Sequence, residues 1–115
     1  MKHTNLKHLK ELADGSNEFI IEMISLFIED MPGDLEKMEI YLRNKDWQAL
    51  RKVAHKIKPS IMYVGLTEIE SLVKETEDYA ANEKNLDELP EMLMKIKQIC
   101  NEAISELIID IKQFS

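Results

Sequence analysis

Three features of this 115-residue chain predict an all-α fold, an up-down-up-down four-helix bundle with a short additional N-terminal helix. Glycine and proline are scarce, at three each. Leu, Glu, Lys, Ile and Met, mostly good helix formers, dominate the rest. Apolar residues recur at helical spacing through four long segments, with no strand-type alternation. Amphipathic helices joined by short connections bury their stripes by packing against their neighbours in antiparallel order. The length suits one domain, residues 1–115, with one core and neither repeat nor linker.

The first segment, Asn5 to Ala13, carries Leu6, Leu9 and Leu12 at three-residue spacing and stops at Asp14-Gly15. Ser16 reads as the N-cap of a long helix reaching about Asn44. Its apolar positions Ile20, Ile24, Phe27, Met31, Leu35, Met38 and Leu42 keep the helical period across Pro32, which predicts a bend and not a break. Asp46 caps the third helix, whose stripe is Leu50, Val53, Ile57, Ile61 and Val64, with Gly65 at its end. Thr67-Glu68-Ile69-Glu70 fits a capping box for a fourth helix burying Ile69, Leu72, Val73 and Thr76. After a polar loop, Asn82 to Asn85, the last helix begins near Asp87 and tolerates Pro90 in its first turn. It buries Leu93, Ile96, Cys100, Ala103, Leu107 and Ile111.

Composition excludes several classes. A net charge of −7 argues against general nucleic-acid binding, which wants a clustered cationic footprint. No apolar run approaches the ~18 residues of a membrane span. The N-terminus lacks the apolar stretch of a secretory signal, and a single cysteine allows no internal disulfide, so a cytoplasmic location is expected. No Gly-rich phosphate loop is present, which argues against nucleotide binding and autonomous kinase activity.

Against this acidic background, Trp47 to Thr67 holds no acidic residue and four cations, Arg51, Lys52, Lys56 and Lys58, around His55. Each helical residue advances ~100°, so Leu50, Val53, Ile57 and Val64 lie opposite His55. Gln48, Arg51, Lys52, Lys58, Pro59 and Met62 share its face. The phase therefore puts His55 in solvent, one turn from Arg51 and from Lys58. Imidazole is substantially unprotonated near neutral pH and nucleophilic, and adjacent cations suit an anionic group carried on it. From position alone the favoured reading is a surface histidine on a solvated basic face, and the local sequence changes that reading.

The run Ala54-His55-Lys56-Ile57-Lys58-Pro59-Ser60, followed by Val64-Gly65-Leu66, resembles the signature of histidine-containing phosphotransfer (HPt) domains. In that pattern a Lys stands three residues after the His, a Gly follows it, and a second Gly ends the helix. Asp46-Trp47-Gln48-Ala49-Leu50 and the patterning of Phe19 to Leu42 resemble the family too, so the likeness spans essentially the whole chain. The resemblance implies a bundle whose exposed His55 accepts and donates a phosphoryl group, with Lys58 stabilising the phosphohistidine and Gly65 terminating the helix. It implies response-regulator receiver domains and a hybrid sensor histidine kinase as partners, and a multistep two-component relay as the setting. No cofactor is implied on this chain; a divalent metal is expected on the receiver. A phosphocarrier and not an enzyme is expected, as a monomer.

Pro59 departs from the pattern's Gly. It cannot donate to the His55 carbonyl, and an interior proline costs on the order of 3 kcal/mol, which predicts a kink at the turn of His55. The larger ring alters what can approach the face, so a helical adaptor that binds without transfer is the alternative reading.

Other chemistry-bearing residues have plainer readings. His3 and His8 are poorly spaced for a shared metal and are expected to be solvated. Glu-x-x-His pairs of a metal bundle are missing, since Lys52 stands three before His55. Cys100 falls in a core stripe and reads as an inert thiol. Most of the seven methionines fit core positions; Met62 is the exception and suggests a docking surface. A second apolar stripe, Phe19, Met23 and Leu26, is expected to lie under the N-terminal helix.

Overall fold

The computed structural model describes residues 2–115. Among these, the chain forms five α-helices: α1 Lys7–Ala13, α2 Asn17–Arg43, α3 Trp47–Tyr63, α4 Thr67–Asn82 and α5 Leu89–Asp110. Short 3-10 turns at Leu86–Glu88 and Ile111–Phe114 flank α5. α2 packs on α3 and α5, and α4 packs on the same two, closing the ring of a four-helix bundle with α1 set against α2. The molecule is 43 Å long and 22 Å across. The 27 residues of α2, at ~1.5 Å each, span nearly all of that length.

The predicted stripes form the core, except that Leu42 and Leu72 are only half-buried. Ile20, Ile24, Phe27, Met31, Leu35 and Met38 of α2 meet Leu50, Val53, Ile57 and Ile61 of α3. Ile69, Val73, Thr76 and Ala80 of α4 and Leu93, Ile96, Cys100, Ala103 and Leu107 of α5 complete it. α2 and α3 both run unbroken through their prolines, Pro32 and Pro59. Both predicted polar caps form: Ser16 Oγ accepts from the Phe19 N–H at 3.2 Å, and Asp46 Oδ1 accepts from the Ala49 N–H at 3.2 Å.

The capping box at Thr67 does not form. The Gly65 N–H donates to the Met62 carbonyl and the Leu66 N–H to the Ile61 carbonyl, both at 3.1 Å, with Gly65 at φ +69°. This pairing ends a helix with an apolar contact across the turn, here between fully buried Leu66 and Ile61. Leu66 is thereby placed at the N-cap of α4, where its side chain cannot cap, and Thr67 moves one position into the helix.

Smaller departures share one cause, the geometry of the ends. α1 starts at Lys7, because Asn5 Oδ1 accepts from the Lys7 N–H at 3.0 Å and keeps Asn5 outside the helix. Its buried positions are Leu9 and Ala13, next to buried Leu6, while Leu12 is half exposed. So short a helix covers Phe19 and Met23 only partly and leaves Leu26 in solvent. Ile111 is half-buried in the terminal 3-10 turn, and Met94 is exposed like Met62. Among the described residues, no helix is long and apolar enough to cross a membrane.

Candidate functional site

His55 stands two turns into α3 with its side chain 67% exposed. Buried Val53, Ala54 and Ile57 around it fix the phase of the helix, so the imidazole is held outward by the core behind it. Gln48, Lys52, Pro59 and Met62 are exposed and Arg51 half-buried, as the phase requires. The structure then divides these residues between two flanks. Arg51 and Lys58 line an open groove between α3 and α4, which continues past Met62 toward the α3–α4 turn. Lys52 and Lys56 line a second groove against α2.

The acid-free stretch of sequence is not acid-free in space. Glu77 of α4 reaches into the first groove and bridges His55 and Lys58. Its Oε2 lies 2.6 Å from His55 Nδ1, and its Oε1 lies 2.6 Å from Lys58 Nζ. On the other flank Lys56 Nζ pairs with Oδ1 of buried Asp34 at 2.9 Å. Lys56 thus belongs to the α2–α3 packing, and Lys58 is the lysine that shares a partner with the histidine.

These contacts fix the chemistry available to the ring. Burial raises the carboxyl of Glu77, but hydrogen bonds from Lys58 and His55 outweigh it and hold the group below the ordinary carboxylate value. An ionised carboxylate can only accept, so Nδ1 must carry the proton. In the neutral ring Nε2 is left with its lone pair directed outward, oriented by a partner on a neighbouring helix. An imidazole, an orienting carboxylate and a cation therefore lie together on an accessible face.

Glu77 and Asp34 escaped sequence reasoning because neither is near His55 in the chain. A signal existed. His55 and Glu77 each lie eleven residues from Leu66, and Asp34 and Lys56 each lie eleven residues from Lys45. Antiparallel helices folding back about those two turns bring such positions level. His3 also differs from expectation: it is largely covered, with Glu68 and Glu102 on its two ring nitrogens, whereas His8 is exposed. Among the described residues, no group of three or more His, Cys, Asp or Glu is placed to hold a metal ion. Cys100 is fully buried, and burial pushes its thiol up to about 12.

The family model of the Hpt domain matches residues 22–108, and the chain belongs to that family, whose members carry phosphoryl groups on histidine. The match includes α3, α4 and nearly all of α2 and α5. The fold is similar to the crystal structure of the HPT domain from a sensor hybrid histidine kinase of Shewanella. The two agree at a TM-score of 0.83 and 17% sequence identity, over 96% of this chain and 95% of that one. No curated protein matches the sequence.

Proposed function

We propose that this protein is a phosphocarrier that relays a phosphoryl group between receiver-domain aspartates, with His55 as acceptor and donor. The observation that carries the reading is the bond from His55 Nδ1 to Glu77 on an otherwise exposed ring. That bond leaves Nε2 as the nucleophile. Its lone pair attacks the phosphorus of an aspartyl phosphate, and the phosphorus–oxygen bond to the carboxylate breaks. The bonding pair leaves with the aspartate. The phosphorylated ring is then cationic, its Nδ1 proton still donated to Glu77, whose negative charge offsets the one formed. Donation to a second aspartate is the same step reversed.

Lys58 is the residue we assign to the phosphoryl oxygens. It is already within reach of the carboxylate that holds the ring and can exchange Glu77 for the incoming anion. Charge stabilisation from a preorganised cation and an in-line approach account for most of what a carrier must supply. A divalent metal on the receiver supplies the remaining neutralisation, so no cofactor is assigned to this chain. Gln48, Arg51, Lys52, Pro59 and Met62 form the docking face, and a receiver domain and a hybrid sensor kinase are its partners. Gly65 is the helix terminator, a structural part of the same assignment.

The test is transfer of labelled phosphate from the receivers and hybrid kinases of the same genome. Wild type is expected to take up acid-labile, base-stable label, and His55→Gln none, while its bundle stays folded. Absence of label on wild type with every such donor overturns the proposal. Receiver binding that survives His55→Ala, with no label on wild type, establishes the adaptor reading instead.

A further inference from the structure

The segment preceding α1 is tied down more heavily than any loop in the molecule. Glu106 of α5 accepts from the His3 N–H at 2.9 Å and from the Thr4 N–H and Thr4 Oγ1 at 3.0 and 2.9 Å. Lys2 pairs with Asp110 at 2.6 Å. The Asn5 N–H donates to the Val64 carbonyl at 2.9 Å. The Asn5 carbonyl oxygen occupies the space a side chain at Gly65 would need, 2.2 Å from the position of a Cβ there. Residues 2–6 thus form a strap across the turn that ends α3, the helix of His55.

The His3 ring is the one titratable fastening of this strap near neutral pH. Nδ1 meets Glu68 of α4, and Nε2 lies 3.0 Å from Oε2 of Glu102 of α5. Two ionised carboxylates can only accept, so both nitrogens must donate, and only the imidazolium can do so. The neutral ring would turn a lone pair toward one carboxylate. Among the described residues, Glu68, Glu102 and Glu106 would then face each other without their cation, since Lys2 is engaged by Asp110.

We propose that His3 is a proton-operated clasp: as the imidazolium it pins the strap between α4 and α5, and loss of its proton loosens the hold of residues 2–6 on the α3–α4 turn. The contacts agree with the titration they imply. The hydrogen bond to Glu68 raises His3 above the ordinary histidine value against an opposing effect of burial, with the charges of Glu68, Glu102 and Glu106 adding to the rise. A histidine raised in the closed state stabilises it fully below the ordinary value, and that stabilisation is lost as pH climbs through the raised one. The clasp therefore opens toward alkaline pH. It rests on contacts remote from Glu77 and holds whether or not His55 carries phosphate.

Imidazole NMR across neutral and mildly alkaline pH, with amide exchange of the strap in the same samples, tests this. His3 is expected to titrate above the ordinary histidine value, with both ring nitrogens protonated before the transition. Once the intrinsic pH dependence is divided out, the protection of the Asn5 amide is expected to fall across that transition. Linkage sets the size: protection falls by the same factor by which closing the strap reduces the acid dissociation constant of His3. In His3→Gln the step should vanish. Should that variant fold poorly, Glu102→Gln, at an exposed position, is expected to lower the His3 midpoint while the step follows it. A His3 that titrates at or below the ordinary histidine value overturns the clasp, as does Asn5 protection that stays level through the transition.

Discussion

His55 and Glu77 face each other across the α3–α4 interface, Nδ1 to Oε2 at 2.6 Å, although 22 positions separate them in the chain. The turn at Gly65 and Leu66 makes them neighbours. Its hydrogen bonds leave no freedom of register, so a carboxylate on α4 is delivered to a histidine on α3 by the turn between them.

The first prediction concerns which nitrogen is modified. With Nδ1 bonded to Glu77, phosphorylation is expected at Nε2, and phosphorus NMR of the loaded protein, compared with the two phosphohistidine isomers, distinguishes them. Modification at Nδ1 would require the Glu77 contact to break first.

Glu77 should also set an acid limit. Its folded value lies below its unfolded one, so its contribution to stability is present above the ordinary carboxylate range and lost as pH falls through the folded value. Wild type is expected to melt above Glu77→Gln at neutral pH, with the difference narrowing under acid. Thermal melts of the pair from neutral to about pH 3 measure it.

Lys58 and Lys56 are expected to fail in different ways. Lys58→Ala should shorten phosphohistidine lifetime or slow transfer, and should also lower stability modestly, because the Lys58 hydrogen bond is the largest of those that hold Glu77 ionised. Lys56→Ala should leave transfer near normal and cost about 1–3 kcal/mol by stranding the buried carboxylate of Asp34. Transfer time courses and urea melts on both variants separate the two effects, and equal loss of transfer in both would contradict the division of the flanks.

The helical phase of α3 was legible in the sequence because it is local: alternating burial of Leu50, Val53, Ile57 and Ile61 puts His55 outside whatever packs behind. Ser16 and Asp46 were legible as caps for the same reason. Thr67 was not, since the demand of the preceding turn for an apolar Leu66 overrides a local capping signal. Glu77, Asp34 and the fastenings of His3 depend on which helix lies beside which and in what register. Those are properties of the assembled bundle, and no window of sequence around His55 contains them.

Gly65→Ala is expected to be damaging on two counts. Its left-handed backbone costs a residue with a side chain about 1–2 kcal/mol, and the added carbon would overlap the Asn5 carbonyl. Urea denaturation should show at least the first cost. Faster amide exchange at Asn5 should show the second.

Cys100 should resist alkylation in the native protein at any pH the fold survives, because burial pushes its thiol to about 12. Iodoacetamide labelling is expected only under denaturing conditions. Labelling at a rate comparable to a free thiol would place the core of α5 in exchange with solvent.

Asp34 and Glu77 neutralise Lys56 and Lys58, whereas Arg51 and Lys52 form no ion pair among the described residues. Arg51 and Lys52 are therefore the cations that α3 leaves unpaired on a strongly negative molecule, although Glu75 and Asp78 also line the groove of Arg51. A phosphoryl group brings about −1.5 to −2 charges at neutral pH, enough to offset those two cations. If His55 carries phosphate as proposed, the empty face attracts an acidic surface within roughly one Debye length, ~8 Å in physiological salt, more strongly than the loaded face does. Association before transfer is then expected to be salt-sensitive, and release of the loaded protein less so.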